Sequence, residues 1–307
     1  MATTRAQAPA QVPAQAPAKA PAPAHEQSRE RARFRMPWRT IGMYALLLVV
    51  CVLVLFPIYW MVTISFKTPR DIYRAPSLFP MNPTLDNYSV LLDKKHFLVN
   101  IRNSVIVAGS ATVVAVFISA LCAYSLVRLK YRFNGLIGRL ILLAYLTPSS
   151  LLFIPLSVIV ARLQLGNTLH GLIFVYLAFS TPFSTWLLMG YFKGIPPDLE
   201  EQAMVDGATR LGAMVRILLP LSAPGLVAVG IFTFTGAWNE LLLALIFITS
   251  EDKRTVPLGL QYLITGDTFL WGPIMAGAVF SALPVMVLYF LAQRFMVQGL
   301  AAGSIKG

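Results

Sequence analysis

Six apolar stretches, at residues 41–66, 103–127, 140–161, 171–190, 221–249 and 269–292, decide what this chain can become. Each supplies the ~20 residues of helix that a bilayer crossing needs. The expectation is an all-α membrane protein with six transmembrane helices, and an even number puts both termini on one side. Composition agrees: 57% of the 307 residues are hydrophobic, 12% are charged and the mean hydropathy is +0.68, too apolar for an ordinary soluble domain.

Sidedness follows from the basic residues. Arg29, Arg31, Arg33, Arg35 and Arg39 stand just before the first span, the positive-inside signal that holds an N-terminus in the cytoplasm. Lys67, Arg70, Arg74, Lys94 and Lys95 fall in the first outer loop, so the bias is moderate. Residues 1–40 form a Pro/Ala-rich tail that cannot bury a core and is expected to be disordered and cytoplasmic. It is not a secretory signal, because the following apolar run is too long and lacks a small-residue cleavage pattern. Residues 41–292 make the six-helix membrane domain, and residues 293–307 a second cytoplasmic tail. The net charge of +12 is spread over the loops with no recognition module, which argues against nucleic acid as a partner.

Within the spans, Ala111, Ala115, Ser119 and Ala123 recur every four residues, and Gly272 with Ala276 and Ala278 with Ala282 repeat the pattern. Such stripes let helix backbones approach closely where lipid offers no hydrophobic drive. Pro148 and Pro155 in the third span and Pro182 in the fourth mark kinks. Cys51 and Cys122 lie in apolar runs and read as buried small hydrophobes. His25, His96 and His170 have no metal-ligand spacing, so neither a metal nor a catalytic constellation is expected. No G-x-x-x-x-G-K-[ST] phosphate loop occurs. An ATPase, if one drives this protein, is another chain.

The loop at residues 193–222 differs in kind. Pro196 and Pro197 suit a first helical turn, and Asp198, Glu200 and Glu201 complement the positive end of its dipole. Gly207 breaks the run, after which Leu211, Met214, Val215 and Leu218 recur at helical spacing up to Pro220. A helix resting on an anionic leaflet favours Lys and Arg on its polar face. The acids Asp198, Glu200, Glu201 and Asp206 therefore suit docking to a basic groove on a soluble partner.

One carboxylate, Glu240 in Ala237-Trp238-Asn239-Glu240, stands inside an apolar run. An intramembrane acid faces a cavity or a partner rather than lipid. On a continuous helix from Leu221, Glu240 would lie about 28 Å along, near the outer interface. Two readings stand: Trp238, Asn239 and Glu240 line a translocation pathway, or they form a structural hydrogen-bonded cluster.

Glu201-Gln202-Ala203, then Gly207, then Ile217, Leu219 and Pro220 resemble the EAA loop of ABC importer permeases, with Gln202 where the family usually has Ala. Asn82-Pro83-Thr84-Leu85-Asp86-Asn87-Tyr88, Ala237-Trp238-Asn239-Glu240 and Val297-Gln298-Gly299-Leu300 with Gly303 and Lys306-Gly307 narrow the resemblance to MalG-type permeases of carbohydrate importers. It covers nearly all of the chain after Trp38. The resemblance implies the type I importer permease fold in a bacterial inner membrane. It also implies a MalF-type second permease, two ATP-binding cassette subunits that use ATP and Mg, and an extracytoplasmic sugar-binding protein. The coupling residues it implies are Glu200, Glu201, Ala203, Asp206, Gly207, Ile217 and Pro220, seated against the ATPase. Outer loops 67–102 and 250–268 would face the binding protein.

The expected cargo is a di- or oligosaccharide, and a non-sugar solute such as glycerol phosphate is the alternative. A self-sufficient secondary transporter or channel is the rival from another class. Such proteins show intramembrane ionisable relays or paired broken helices, and here Glu240 stands alone.

Overall fold

The computed structural model describes residues 38–74, 77–265 and 268–303. The expected tail before Trp38 and the Lys306-Gly307 pair lie outside the described residues. The chain divides between Cys51 and Val52 into two units; the first contains the beginning of helix α1 (Trp38–Ser65), and the second contains the rest. Helices follow as α2 (Phe97–Arg128), α3 (Asn134–Leu146), α4 (Phe153–Arg162), α5 (Leu169–Lys193), α6 (Asp198–Val205), α7 (Arg210–Leu221), α8 (Ala223–Trp238), α9 (Leu242–Phe247) and α10 (Trp271–Gly303). Short helical turns and one two-residue antiparallel strand pair, Ile264 with Phe269 and Thr265 with Thr268, fill the loops. Among the described residues four helices are long and apolar enough to cross a membrane, and up to six spans result if each of two bent pairs counts as one.

Helix α2 is the axis of the second unit. Ala111, Ala115, Ser119 and Ala123 are all at 0% exposure, and this stripe packs α2 against α5 and α8. Small side chains bring the backbones close enough for polar groups to meet across the helices. Ser119 Oγ donates to the Thr181 carbonyl at 3.1 Å, and the Ser184 and Thr233 hydroxyls, 2.9 Å apart, link α5 to α8. Gly272 and Ala276 are buried on α10, while Ala278 and Ala282 are half-buried.

Two expected spans are interrupted. The third begins earlier, at Asn134, and its two helical parts meet at 98°. Thr147 is extended, as the residue before a proline prefers, so Pro148 ends α3 instead of kinking it. Pro155 falls in the first turn of α4, where its missing N–H leaves no bond unmade. Pro182, by contrast, sits inside an unbroken α5. The fifth expected span ends as α8 at Trp238 and resumes at Leu242, so Glu240 lies in a break and not on the continuous helix expected. At the other end α10 continues through Gly303, so residues 293–303 are helical.

Side chains knit one end of the bundle together. Asn103 donates through Nδ2 to the Asp252 and Arg254 carbonyls at 2.8 and 3.0 Å, and Ser104 Oγ accepts from Val256 N. Asn167 Oδ1 accepts from Thr249 N and Ser250 N. The Tyr73 hydroxyl donates to the Phe269 carbonyl at 2.6 Å, which ties the loop after α1 to the loop before α10. Arg128, at the other end of α2, is 24 residues from Ser104, about 36 Å along the helix.

Candidate functional site

The acidic loop folds as two short helices with a defined hinge. Pro197 sits just before α6 rather than within it, and its carbonyl accepts from Glu200 N and Glu201 N. At the far end Gly207 N donates to the Met204 carbonyl and Ala208 N to the Ala203 carbonyl. This pair of bonds is a Schellman closure, which places a glycine at the left-handed position. Gly207 has φ +92, a conformation that side chains disfavour. Thr209 then caps α7, its hydroxyl accepting from Gly212 N at 3.1 Å. The middle of α7, Met214–Leu218, winds as a π-turn closed by Leu219 N on the Met214 carbonyl. The wide turn lies just before Pro220, which has no N–H to continue the regular ladder.

The acids do not all face outward. Glu200 is 3% exposed, and Arg128 Nε donates to its Oε1 at 2.6 Å, while Arg128 Nη2 donates to the Ile195 carbonyl at 2.8 Å. The Tyr124 hydroxyl donates to the Arg210 carbonyl at 3.3 Å. Thus α2 grips the loop on both sides of its hinge. Glu200 is expected among the docking acids; its place in an internal ion pair corrects that, because it points toward α2 from the inner face of α6. No sequence spacing links Arg128 to Glu200, since 72 residues separate them.

Glu201, Asp206, Gly207 and Pro220 are exposed. Ala203, Asp206, Gly207 and Ile217, with Arg216, line a pocket of about 250 Å³. The expected apolar stripe splits in two. Met214 and Leu218 are buried with Phe192 and Val229, whereas Leu211 and Val215 are exposed, as is Val205 at 87%. The outer surface therefore mixes acids with unpartnered apolar side chains, the character of a protein-docking surface more than of a solvated loop.

Trp238, Asn239 and Glu240 part company. Trp238 is 1% exposed, stacks on Phe234 at 5.5 Å and donates through Nε1 to the Ser281 carbonyl, so it joins α8 to α10 in the core. Asn239 turns back to the Thr235 carbonyl of its own helix. Only Glu240 borders a cavity, about 290 Å³ between α5 and α8, whose walls include Tyr176, Phe179, Ser180, Phe183, Phe232 and Thr233. Glu240 Oε1 accepts from Leu243 N at 3.0 Å, and the Tyr176 hydroxyl donates to the Glu240 carbonyl at 3.3 Å.

An apolar helical bundle with a rigidly held amphipathic helix pair at one end and a polar-footed cavity inside defines a membrane-spanning transport subunit. The profile of binding-protein-dependent transport system inner membrane components matches residues 115–301, more than half of the chain. The trehalose/maltose transport system permease protein MalG of Thermococcus litoralis is 37% identical over 264 residues, covering 85% of this chain and 94% of that protein. The sulfoquinovosyl glycerol transport system permease protein SmoH of Agrobacterium fabrum is 39% identical over 254 residues, covering 82% and 89%. The diacetylchitobiose uptake system permease protein DasC of Streptomyces coelicolor is 37% identical over 257 residues, covering 82% and 92%. A bacterial ABC transporter involved in alginate import shares the fold, with a TM-score of 0.73 at 20% identity over 84% of this chain and 96% of that one. The chain belongs to the family of binding-protein-dependent transport system inner membrane components, as a multi-pass membrane protein.

Proposed function

We propose that this chain is one of two permease subunits in an ATP-driven, binding-protein-dependent importer of a di- or oligosaccharide. Six spans with both termini cytoplasmic would place the Glu201–Asp206 surface inside the cell and the loops around Tyr73 and Asp252 outside. Two ATPase subunits, using ATP and Mg, dock the exposed face of α6 and α7, and an extracytoplasmic sugar-binding protein docks the opposite end. The relatives' named solutes, trehalose and maltose, diacetylchitobiose and sulfoquinovosyl glycerol, support a sugar as cargo.

The observation that carries the coupling role is the loop's construction: an exposed acidic and apolar face on a helix pair fixed to α2 by the Arg128–Glu200 pair. A force applied to that face reaches α2 through a buried ion pair instead of being lost in a floppy loop. Closure of the ATPase pair would then move α2, α5 and α8 together and favour the outward-open state. Each ligand shifts this equilibrium only by its differential affinity for the two states.

The test is purification of the tagged chain from its native membrane in mild detergent, followed by ATP hydrolysis, for wild type and Glu201→Arg. An ATPase that co-purifies with wild type and is lost or inactive in the variant is the expected result. A wild-type chain that purifies alone and still transports without ATP would replace this reading with that of a secondary transporter.

A further inference from the structure

We infer that the cavity between α5 and α8 is a subsite for one neutral sugar ring, so that this chain itself handles the cargo during passage. The inference rests on the importer reading above and adds a ligand contact to it.

The cavity has the two surfaces that a pyranose requires. One is aromatic: Phe183 packs edge-on to Phe232 at 6.2 Å and lies 5.3 Å from the Tyr145 ring, so neighbouring rings hold the wall in place. Phe179 adds a further ring. Aromatic faces carry a negative quadrupole that attracts the weakly positive C–H groups on the flat side of a sugar. The other surface is polar. Ser180 Oγ donates to the Tyr176 carbonyl and keeps its lone pairs for a hydroxyl donor.

Glu240 supplies the strongest acceptor. Leu243 N occupies Oε1, and among the described residues no donor reaches Oε2. A carboxylate in an apolar span is expensive unless water or a ligand solvates it. Sugar hydroxyls would do so through charge-assisted bonds, which are roughly twice as strong as neutral ones. A helix-capping duty alone would use one oxygen and would not call for the ring wall opposite. The cavity lining contains one acid and no Lys or Arg, which disfavours anionic cargo such as a glycerol phosphate. At about 290 Å³ the space is near the lower limit of small-molecule pockets, ~300 Å³, and suits a single ring passing through rather than a whole oligosaccharide at rest.

The experiment uses the complete complex in proteoliposomes with its binding protein and labelled maltose, trehalose and diacetylchitobiose as probes. Uptake and binding-protein-stimulated ATP hydrolysis are measured together for Glu240→Gln, which can still accept from Leu243 N, and for Phe183→Ala. The expected result is uptake lowered about tenfold or more, through a charge-assisted bond reduced to a neutral one in Glu240→Gln and through the lost ring wall in Phe183→Ala, with ATP hydrolysis within about twofold of wild type. Wild-type rates of both in both variants would overturn the subsite and leave the importer reading intact. If uptake and hydrolysis fall together, Phe183→Tyr decides: recovery by a ring that can still stack supports the subsite, and no recovery overturns it. A wild-type complex that takes up these sugars equally well without ATP would remove the importer reading as well.

Discussion

Arg128 and Glu200 meet at 2.6 Å where the last turn of α2 passes the first turn of α6, with both side chains largely out of solvent. Arg128 also holds the Ile195 carbonyl, so it fixes the entry to the loop as well as its first helix. Removing one partner of a buried pair leaves an uncompensated charge, at a cost of about 3–5 kcal/mol, whereas a well-packed apolar pair of similar volume is often nearly neutral. Arg128→Ala and Glu200→Ala should each lower the thermal unfolding temperature in detergent markedly, and Arg128→Met with Glu200→Leu should lower it less than either. A double variant at least as unstable as the worse single one would mean that the pair is not coupled as described.

Much of the bundle is readable in the chain because membrane helices obey a length rule and small-residue stripes mark close packing. Ala111, Ala115, Ser119 and Ala123 need only a four-residue period to be recognised, and all four are buried. The breaks are harder to read. Thr147-Pro148 announces an interruption, but a 98° turn depends on what α3 and α4 pack against. Asn239-Glu240-Leu241 has no proline or glycine to signal the end of α8, and its geometry depends on the Tyr176 hydroxyl and the cap on Leu243, both tertiary contacts. In the loop, Gly207 is legible as a hinge from residue type alone. The division of its acids into inward Glu200 and outward Glu201 is not, because adjacent helical positions differ by about 100° and nothing local says which one meets an arginine.

The Schellman hinge makes a prediction of opposite sign from an ordinary helical glycine. Nothing lies within 4 Å of a Cβ placed on Gly207, so Gly207→Ala meets no clash, and its whole cost is the left-handed backbone. That cost is about 1–2 kcal/mol. Gly190 also has open space but lies inside α5, where alanine is preferred by about 0.5–1 kcal/mol. Thermal unfolding should therefore show Gly207→Ala destabilised and Gly190→Ala unchanged or stabilised. Equal shifts in the same direction would argue against a strained hinge.

The stripe on α2 tolerates no added volume. Ala115 is fully buried against neighbouring helices, and extra methylenes in a packed core cost typically about 1–3 kcal/mol. Ala115→Leu should reduce the yield of monodisperse protein in size-exclusion chromatography and lower the unfolding temperature. Phe117→Leu, at a position 65% exposed on the same helix, should leave both close to wild type. If the two substitutions behaved alike, the close approach of α2 to α5 and α8 would be in error.

Trp238 and Glu240 stand two residues apart and should answer to different assays. The Trp238 side chain fills the seam between α8 and α10, stacks on Phe234 and donates to the Ser281 carbonyl. Its truncation to alanine removes a large buried ring and leaves a cavity, for about 3–5 kcal/mol. Glu240 is half-buried at a break and borders open space, and Gln in its place keeps an oxygen for Leu243 N. Trp238→Ala should therefore lower the unfolding temperature sharply, while Glu240→Gln should leave it within the ordinary spread of surface substitutions, about 0.5 kcal/mol. Parallel thermal scans of the purified protein check this directly. A stable Trp238→Ala would return the tryptophan to the translocation pathway, and an unstable Glu240→Gln would make the carboxylate part of the scaffold.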